Sequence, residues 1–523
     1  MRSLQVLPAS SQLPAPLFAA SAEKFNDIKQ MLTSPWALAS DAAAIERELR
    51  PQGNELIRRL LEEYLNLRCS AAVVSPVVDA AGHEHRYRRD KTSRALLSSY
   101  GKITVWRPSF EKRGRQALHP HEAALNFPAS LYSLEVQKEA AILASGQSFD
   151  TAGAALERRS AAHVPKRQFE AVVRSAAQDF WDFYDIADFT VPPADTGEFL
   201  VLSADHKGVT MIRRDLTATT RRRADEATQT HDSRNGKGKK NNKKRMATVA
   251  AVYTVKPYQR SADQVIRGLR HVRDAEPGAK RPRPEHKRLI ATMRRSTAAV
   301  VKELFREAML RDPKRTKTWL FLVDGESNLQ TLAVAEAARL GVKVKFVLDF
   351  IHALEYLWKV STTSYEEADP CREAWVLQRL DWMLQGRVGD VVADLRRLAA
   401  EPTTEKADRV ALVKTANYMK KRESMMGYKE LLAAGAPIAT GIIEGACRHL
   451  VCDRMEITGA RWSLATAEAV LQLRTLISSG DFEAYWSWHE RAERHRNHDV
   501  HYAEIRPPAL EPLIISIGLR VVK

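Results

Sequence analysis

Three carboxylates stand where apolar runs stop. Asp205 closes the run in "EFLVLSADHKG" (198–208), Asp324 the run in "TWLFLVDGESN" (318–328), and Asp349 the run in "VKVKFVLDFIH" (342–352). Such an acid can simply punctuate a strand by forming the turn after it. It can also belong to a site, because open α/β sheets form their sites at the carboxyl ends of strands. Carboxylate oxygens are hard donors of the kind that Mg²⁺ and Mn²⁺ prefer. A further acid, Glu444, lies in "GIIEGACRHLVCDRM" (441–455), which reads as one helix. Arg448 is four residues on and shares its face.

The elements that must position these acids follow from the apolar patterning. "EFLVLSADHKGVTMI" predicts a strand with a second strand or turn after it, and "MATVAAVYTV" (246–255) predicts another strand. "HKRLIATMRRSTAAVVKELFREAMLR" (286–311) reads as one long helix, followed by strand 318–323, helix 328–340 and strand 342–349. Strands alternating with helices in this way indicate a mixed α/β sheet. Residues 353–440 are helical in pattern throughout. Two more helices follow, one ending at Gly480 and an aromatic-rich one after it. Upstream, 22–66 is helical in pattern, and 96–112 reads as a β-hairpin or a pair of short strands around "GKITVWR". Three helices are then expected over 133–146, 148–160 and 165–185, starting at Ser133, Ser148 and Pro165. The last opens with Lys166 and Arg167, so the trio fits a helix-turn-helix whose final helix enters a DNA groove, or a plain three-helix packing unit.

At 523 residues the chain is too long for one small core. No apolar stretch approaches the length needed to cross a bilayer. The Pro-broken start lacks a continuous secretory core, which predicts a cytoplasmic protein. Its four cysteines (Cys69, Cys371, Cys447, Cys452) form no CxxC pair, which argues against a disulfide framework or a cysteine zinc site. Lys plus Arg is 81 against 64 Asp plus Glu, a net charge of +17. That balance points to a polyanionic partner, with nucleic acid the commonest. The excess concentrates in 213–245, which has almost no large apolar residues and is expected to be a mobile basic loop. Its Arg221, Arg222, Arg223, Lys237, Lys239, Lys240, Lys243 and Lys244 suit phosphate contacts, and a solvated linker is the alternative. A second basic, proline-broken loop spans 273–288. Neither a P-loop nor a GxSxG elbow is present.

"SADHKG", "FLVDGES" and "GIIEGACRHLVCDRM", in that order, resemble the three catalytic segments of a bacterial insertion-sequence transposase of the DDE class. The likeness is closest to the ISKra group. Asp349-Phe350-Ile351-His352 is similar to the DxxH signature of Mutator- and hAT-like transposases. The resemblance spans roughly 190–480. It implies an RNase H-like α/β core, a mixed sheet flanked by helices, with an all-α insertion and a mostly helical N-terminal region before it. The corresponding divisions are an N-terminal region 1–130, a DNA-binding region 131–190 and a core 191–352. An insertion 353–440, a glutamate helix with its successor 441–480 and a tail 481–523 complete them. Relatives often carry a cysteine-bearing zinc ribbon near the N-terminus. The comparable stretch here holds only His119 and His121, so no structural zinc is expected.

The resemblance implies Asp205, Asp324 and Glu444 as ligands of two Mg²⁺ or Mn²⁺ ions, Asp205 bridging both. Two ions can activate an attacking oxygen and stabilise the leaving 3′-oxygen of a phosphodiester. Water would attack first, and the freed 3′-OH would then attack target DNA. His352 would position the scissile phosphate or leaving group, or would cap the insertion. Asp349 would orient His352 or serve the fold, and Glu326 is a rival ligand beside Asp324. Arg448 would pair with Glu444 or meet phosphate. Arg461 and Trp462 in "GARWS" would stack on a base, with a core position the other reading of Trp462. The implied partners are double-stranded DNA at the element ends and target, and further copies of the chain, without a membrane, in the nucleoid-bearing cytoplasm. A DNA-binding relative without catalysis and another RNase H-like nuclease or resolvase are the alternatives.

Overall fold

The computed structural model describes residues 17–186, 196–226, 243–270, 281–457 and 459–513. Two compact units emerge, one built from 1–185 with 483–523 and the other from 186–482. Lys237, Lys239 and Lys240, and residues 273–280 of the second basic loop, lie outside the described residues.

In the first unit, helix Ala42–Arg68 packs on a hairpin of β1 (Tyr87–Ser98) and β2 (Gly101–Glu111). Leu65, Leu96, Ile103, Val105 and Phe127 form the core between them. Helices Leu134–Gly146, Phe149–Arg159 and Lys166–Ala176 follow, the first two capped by Ser133 and Ser148 as expected. They enclose the fully buried Phe169 and Val173. The helix expected over 165–185 breaks after Ala176 and resumes at Phe180. The tail was expected as a separate segment, yet Glu483–Lys523 belongs to this unit. Tyr485 donates from its hydroxyl to the Ala176 carbonyl at 2.6 Å, and His489 Nδ1 lies 2.6 Å from Asp179. The tail histidines do not all face water, because His498 is buried against the Phe127 carbonyl.

The second unit holds a five-stranded sheet of β3 (Phe199–Thr210), β4 (Lys244–Val255), β5 (Glu285–Thr292), β6 (Thr318–Val323) and β7 (Val344–Leu348). Their spatial order is β5-β4-β3-β6-β7. The first three pair antiparallel, and β6 and β7 run parallel to β3, reached through helices Thr297–Arg311 and Ser327–Leu340. This is the mixed α/β arrangement that the patterning indicates. Leu200, Val201 and Leu202 of β3 are all fully buried, so both faces of the central strand are covered.

The sequence expectation fails in three places here. Residues 285–292 are a strand, not the first half of a long helix, and a separate helix starts at Thr297 behind the cap Ser296. Leu289, Ile290 and Ala291 are consecutive and all buried, a pattern that a strand covered on both faces satisfies as well as a helix does. Second, β3 continues past Asp205 to Thr210, so that acid is internal to its strand. Third, the basic segment 213–245 is not simply a loop, since Ala218–Glu226 is helical. Helices between Phe350 and Ala434 form the all-α insertion, and the chain then returns through Gly441–Ala446.

Candidate active site

The register of the sheet sets the acids in one row. β3 pairs with β6 up to Ser203 and Leu322, so two residues further on each strand stand Asp205 and Asp324. β6 pairs with β7 up to Val323 and Leu348, and one residue further stand Asp324 and Asp349. The Asp349 N–H donates to the Val323 carbonyl at 2.8 Å, which carries the ladder to that level.

Glu444 is brought to this row by Asp349. The buried Asp349 carboxylate accepts from the Ile351 N–H at 2.8 Å and so caps helix Phe350–Ser361. Its other oxygen accepts from the Thr440 N–H at 3.1 Å and from the Thr440 hydroxyl. Thr440 is the residue before helix Gly441–Ala446, which lies against β3 and β4. Asp349 therefore orients the glutamate helix and caps the insertion, and His352 is not its partner. His352 Nδ1 instead lies 3.4 Å from Glu355, with its ring edge-on to Tyr356.

The glutamate helix is not one regular α-helix. Cys447–Cys452 is a π-helical turn, a rare form often found at functional sites. Three residues after Glu444, Cys447 donates its thiol to Asp205 Oδ2 at 3.3 Å. Burial and then the Asp205 charge push the Cys447 thiol well above its ordinary pKa, so it stays protonated as a donor. Glu444 is exposed, and its carboxylate has no hydrogen bond or ion pair among the described residues, while its N–H donates to the Thr440 carbonyl at 3.0 Å. Asp324 accepts from the Glu326 N–H at Oδ1 and keeps Oδ2 open.

Alternation along β3 sends His206 to the opposite face from Asp205. There its Nδ1 lies 2.8 Å from Glu326 Oε2 and its Nε2 lies 3.0 Å from Thr297 Oγ1. Glu326 is thus engaged with His206, across the sheet from Asp205. The carboxylates left on the near side, Asp205, Asp324 and Glu444, are hard oxygen donors of the kind that Mg²⁺ or Mn²⁺ takes, although both Asp205 oxygens already accept, from the His206 N–H at 2.6 Å and from the Cys447 thiol. The three do not converge to ligand distance. Among the described residues, the grouping whose ligand atoms all lie within 4.8 Å is Asp179, His489 and Glu493 of the first unit. Bidentate pairing of Arg496 with Asp179 neutralises much of that cluster.

The basic residues separate by environment. Arg221, Arg222 and Arg223 are exposed along helix Ala218–Glu226, with Arg222 3.6 Å from Glu226. Lys243 is exposed, and Lys244 pairs with Glu456 at 2.8 Å. Arg448 and Arg461 are exposed, without ion pairs among the described residues. Lys166 and Arg167 are exposed at a helix start, Lys166 pairing with Asp150. Trp462 is 5% exposed, donates to the Met455 carbonyl at 3.1 Å and lies under Arg454. It is a core residue, and the stacking role does not hold for it. His121 is fully buried and donates from Nε2 to the Ala71 carbonyl at 2.9 Å.

Tyr418, Arg422, Thr440 and Cys447 were not singled out from the sequence. Each meets its acid or that acid's turn from 91 to 242 positions away, and nothing in local spacing signals such pairings. No protein-family model matches this sequence, and a search of curated proteins finds no match. No helix among the described residues is long and apolar enough to cross a membrane.

Proposed function

We propose that the chain is a DDE transposase with an RNase H-like core, which binds the ends of its insertion sequence, cleaves DNA and joins the 3′-OH ends to target DNA. One observation carries this reading: Asp205 and Asp324 share one level of the sheet, and the helix bearing Glu444 is tied to that row through Asp349–Thr440 and Cys447–Asp205. The elements support it in order. Asp205 is on the first strand of the sheet, Asp324 after the fourth and Asp349 after the fifth, with the all-α insertion before Glu444.

Asp205, Asp324 and Glu444 would hold the Mg²⁺ or Mn²⁺ ions. Bound there, two such ions would supply activation of the attacking oxygen and charge stabilisation at the leaving 3′-oxygen. Asp349 fixes the approach of the glutamate helix. Arg448, exposed one turn past Glu444, would meet a phosphate of the scissile strand. Arg221, Arg222, Arg223 and Lys243 would add sequence-independent phosphate contacts, and Lys166 and Arg167 would enter a groove. Two element ends must be held together, which calls for more than one copy of the chain.

A second reading, a DNA-binding protein that keeps the core without cutting, is favoured by the separation of the three acids. Like charges that lack a cation between them repel, which accounts for an open triad in the transposase reading as well. Mg²⁺- or Mn²⁺-dependent cleavage of DNA carrying the element's own ends separates the two. Cleavage leaving 3′-OH ends, absent in Asp324→Asn, is the expected result. End binding without cleavage by the wild type would favour the second reading.

A further inference from the structure

The turn that carries Asp324 is gripped from outside the sheet. Helix Lys406–Arg422, in the all-α insertion, lays its last turns over it. Tyr418 donates its hydroxyl to the Asp324 carbonyl at 3.2 Å, and Arg422 donates Nη2 to the Gly325 carbonyl at 2.6 Å. The Arg422 guanidinium also stacks over the Tyr418 ring, 4.0 Å from its centroid. Tyr418 is in turn stacked on Tyr356 at 4.1 Å, and Tyr356 meets His352. Burial raises the Tyr418 hydroxyl well above its ordinary pKa, which keeps it a donor.

Gly325 records how close this approach is. At φ +92 it takes a backbone form that side chains rarely adopt, and a Cβ there would stand 2.2 Å from Tyr418 Oη. A turn that needed only a strand end would not need this contact. Two donors on consecutive carbonyls fix the peptide planes on both sides of Gly325, and with them the direction in which the Asp324 carboxylate leaves the backbone.

We propose that Tyr418 and Arg422 are positioning residues for Asp324, so that the divalent-ion affinity of the core depends on the seating of the insertion helix. The proposal deepens the transposase reading and rests on Asp324 being a metal ligand. The insertion is then a part of the metal centre, although it contributes no ligand to it.

The test is Mn²⁺ binding to the full chain without DNA, followed by electron paramagnetic resonance, for wild type, Asp324→Asn, Tyr418→Phe and Arg422→Lys. Asp324→Asn defines the signal that belongs to this site and subtracts Mn²⁺ held elsewhere. Tyr418→Phe removes one hydroxyl donor and is expected to weaken that binding about fivefold, the size of one hydrogen bond, with no more than the small fall in Tm that the loss of one such bond brings. Arg422→Lys keeps the charge and loses the fixed geometry, and is expected to weaken it similarly. The Mn²⁺ concentration for half-maximal cleavage should rise in both, while the rate at saturating Mn²⁺ returns to that of wild type. A purely structural clamp would lower Tm and leave the metal dependence alone. Wild-type Mn²⁺ affinity in both variants, with the Asp324→Asn signal lost, overturns the positioning role only. Wild-type binding in Asp324→Asn overturns the ligand assignment and the proposal together.

Discussion

Replacing Gly325 by alanine isolates the contact between the insertion helix and the Asp324 turn. The new methyl would stand 2.2 Å from Tyr418 Oη and 2.9 Å from Arg422 Nε, so the helix end must withdraw. Holding alanine at φ +92 costs about 1–3 kcal/mol. Withdrawal also loses the hydrogen bonds to the Asp324 and Gly325 carbonyls, about 1 kcal/mol each. Together these give about 3–5 kcal/mol, equivalent to a fall in Tm of roughly 5–10 °C. Thermal unfolding followed by circular dichroism and tryptophan fluorescence measures it. Gly268→Ala is the control, since its Cβ would meet nothing within 4 Å in helix Ala262–Leu269. That substitution should be neutral or raise stability by up to about 1 kcal/mol. Gly325→Ala melting together with wild type would refute the close approach and the strain assigned to the turn.

Other perturbations probe the remaining parts. Replacing Arg221, Arg222 and Arg223 by alanine should weaken DNA binding for any sequence, and should reduce the slope of log affinity against log salt by about 2–3, read from fluorescence anisotropy at several salt concentrations. Trp462→Phe loses the bond to the Met455 carbonyl and should cost about 1 kcal/mol or more in urea unfolding, with end binding unchanged. Reduced DNA affinity at full stability would restore a surface role for Trp462. Glu468 is buried, and burial raises its pKa despite hydrogen bonds from Thr292 and the Met293 N–H. The folded state therefore holds this proton more tightly than the unfolded one. Wild-type stability should decline as pH rises from the ordinary glutamate range through the raised value, and Glu468→Gln should lack that decline. Parallel pH profiles for the two proteins would contradict the assignment.

What the sequence discloses and what it hides divide along physical lines. Segments whose patterning is local were legible: strand 318–323 matches β6, and the insertion matches the helices between Phe350 and Ala434. The acids were visible because each interrupts an apolar run. β5 was not, because basic residues flank a short apolar core there, and a strand buried on both faces leaves no alternation to read. The sequence also marks Asp205 as a strand end, since charge begins there. The pairing with β4 that prolongs the strand to Thr210 depends on a segment about forty residues away. Least legible were the contacts that tie the segments bearing the acids together. The role of Asp349 depends on Thr440, and the conformation of Gly325 depends on Tyr418, so neither can be inferred from neighbours in the chain.

The double use of Asp349 has a consequence for how such a chain can change over generations. One carboxylate caps the helix that leaves the sheet and holds the residue at which the chain comes back, and Phe350 meets the Ile438 carbonyl beside it. Departure and return thus share a single gate. Whatever is threaded through the gate closes on itself, and the entropy of closing a longer excursion grows only with the logarithm of its length. The excursion can therefore lengthen, shrink or be exchanged for another helical body while the row of acids stays where the sheet put it. Helix Lys406–Arg422 within it is bound by a further condition, because it must still set a tyrosine and an arginine down over one glycine.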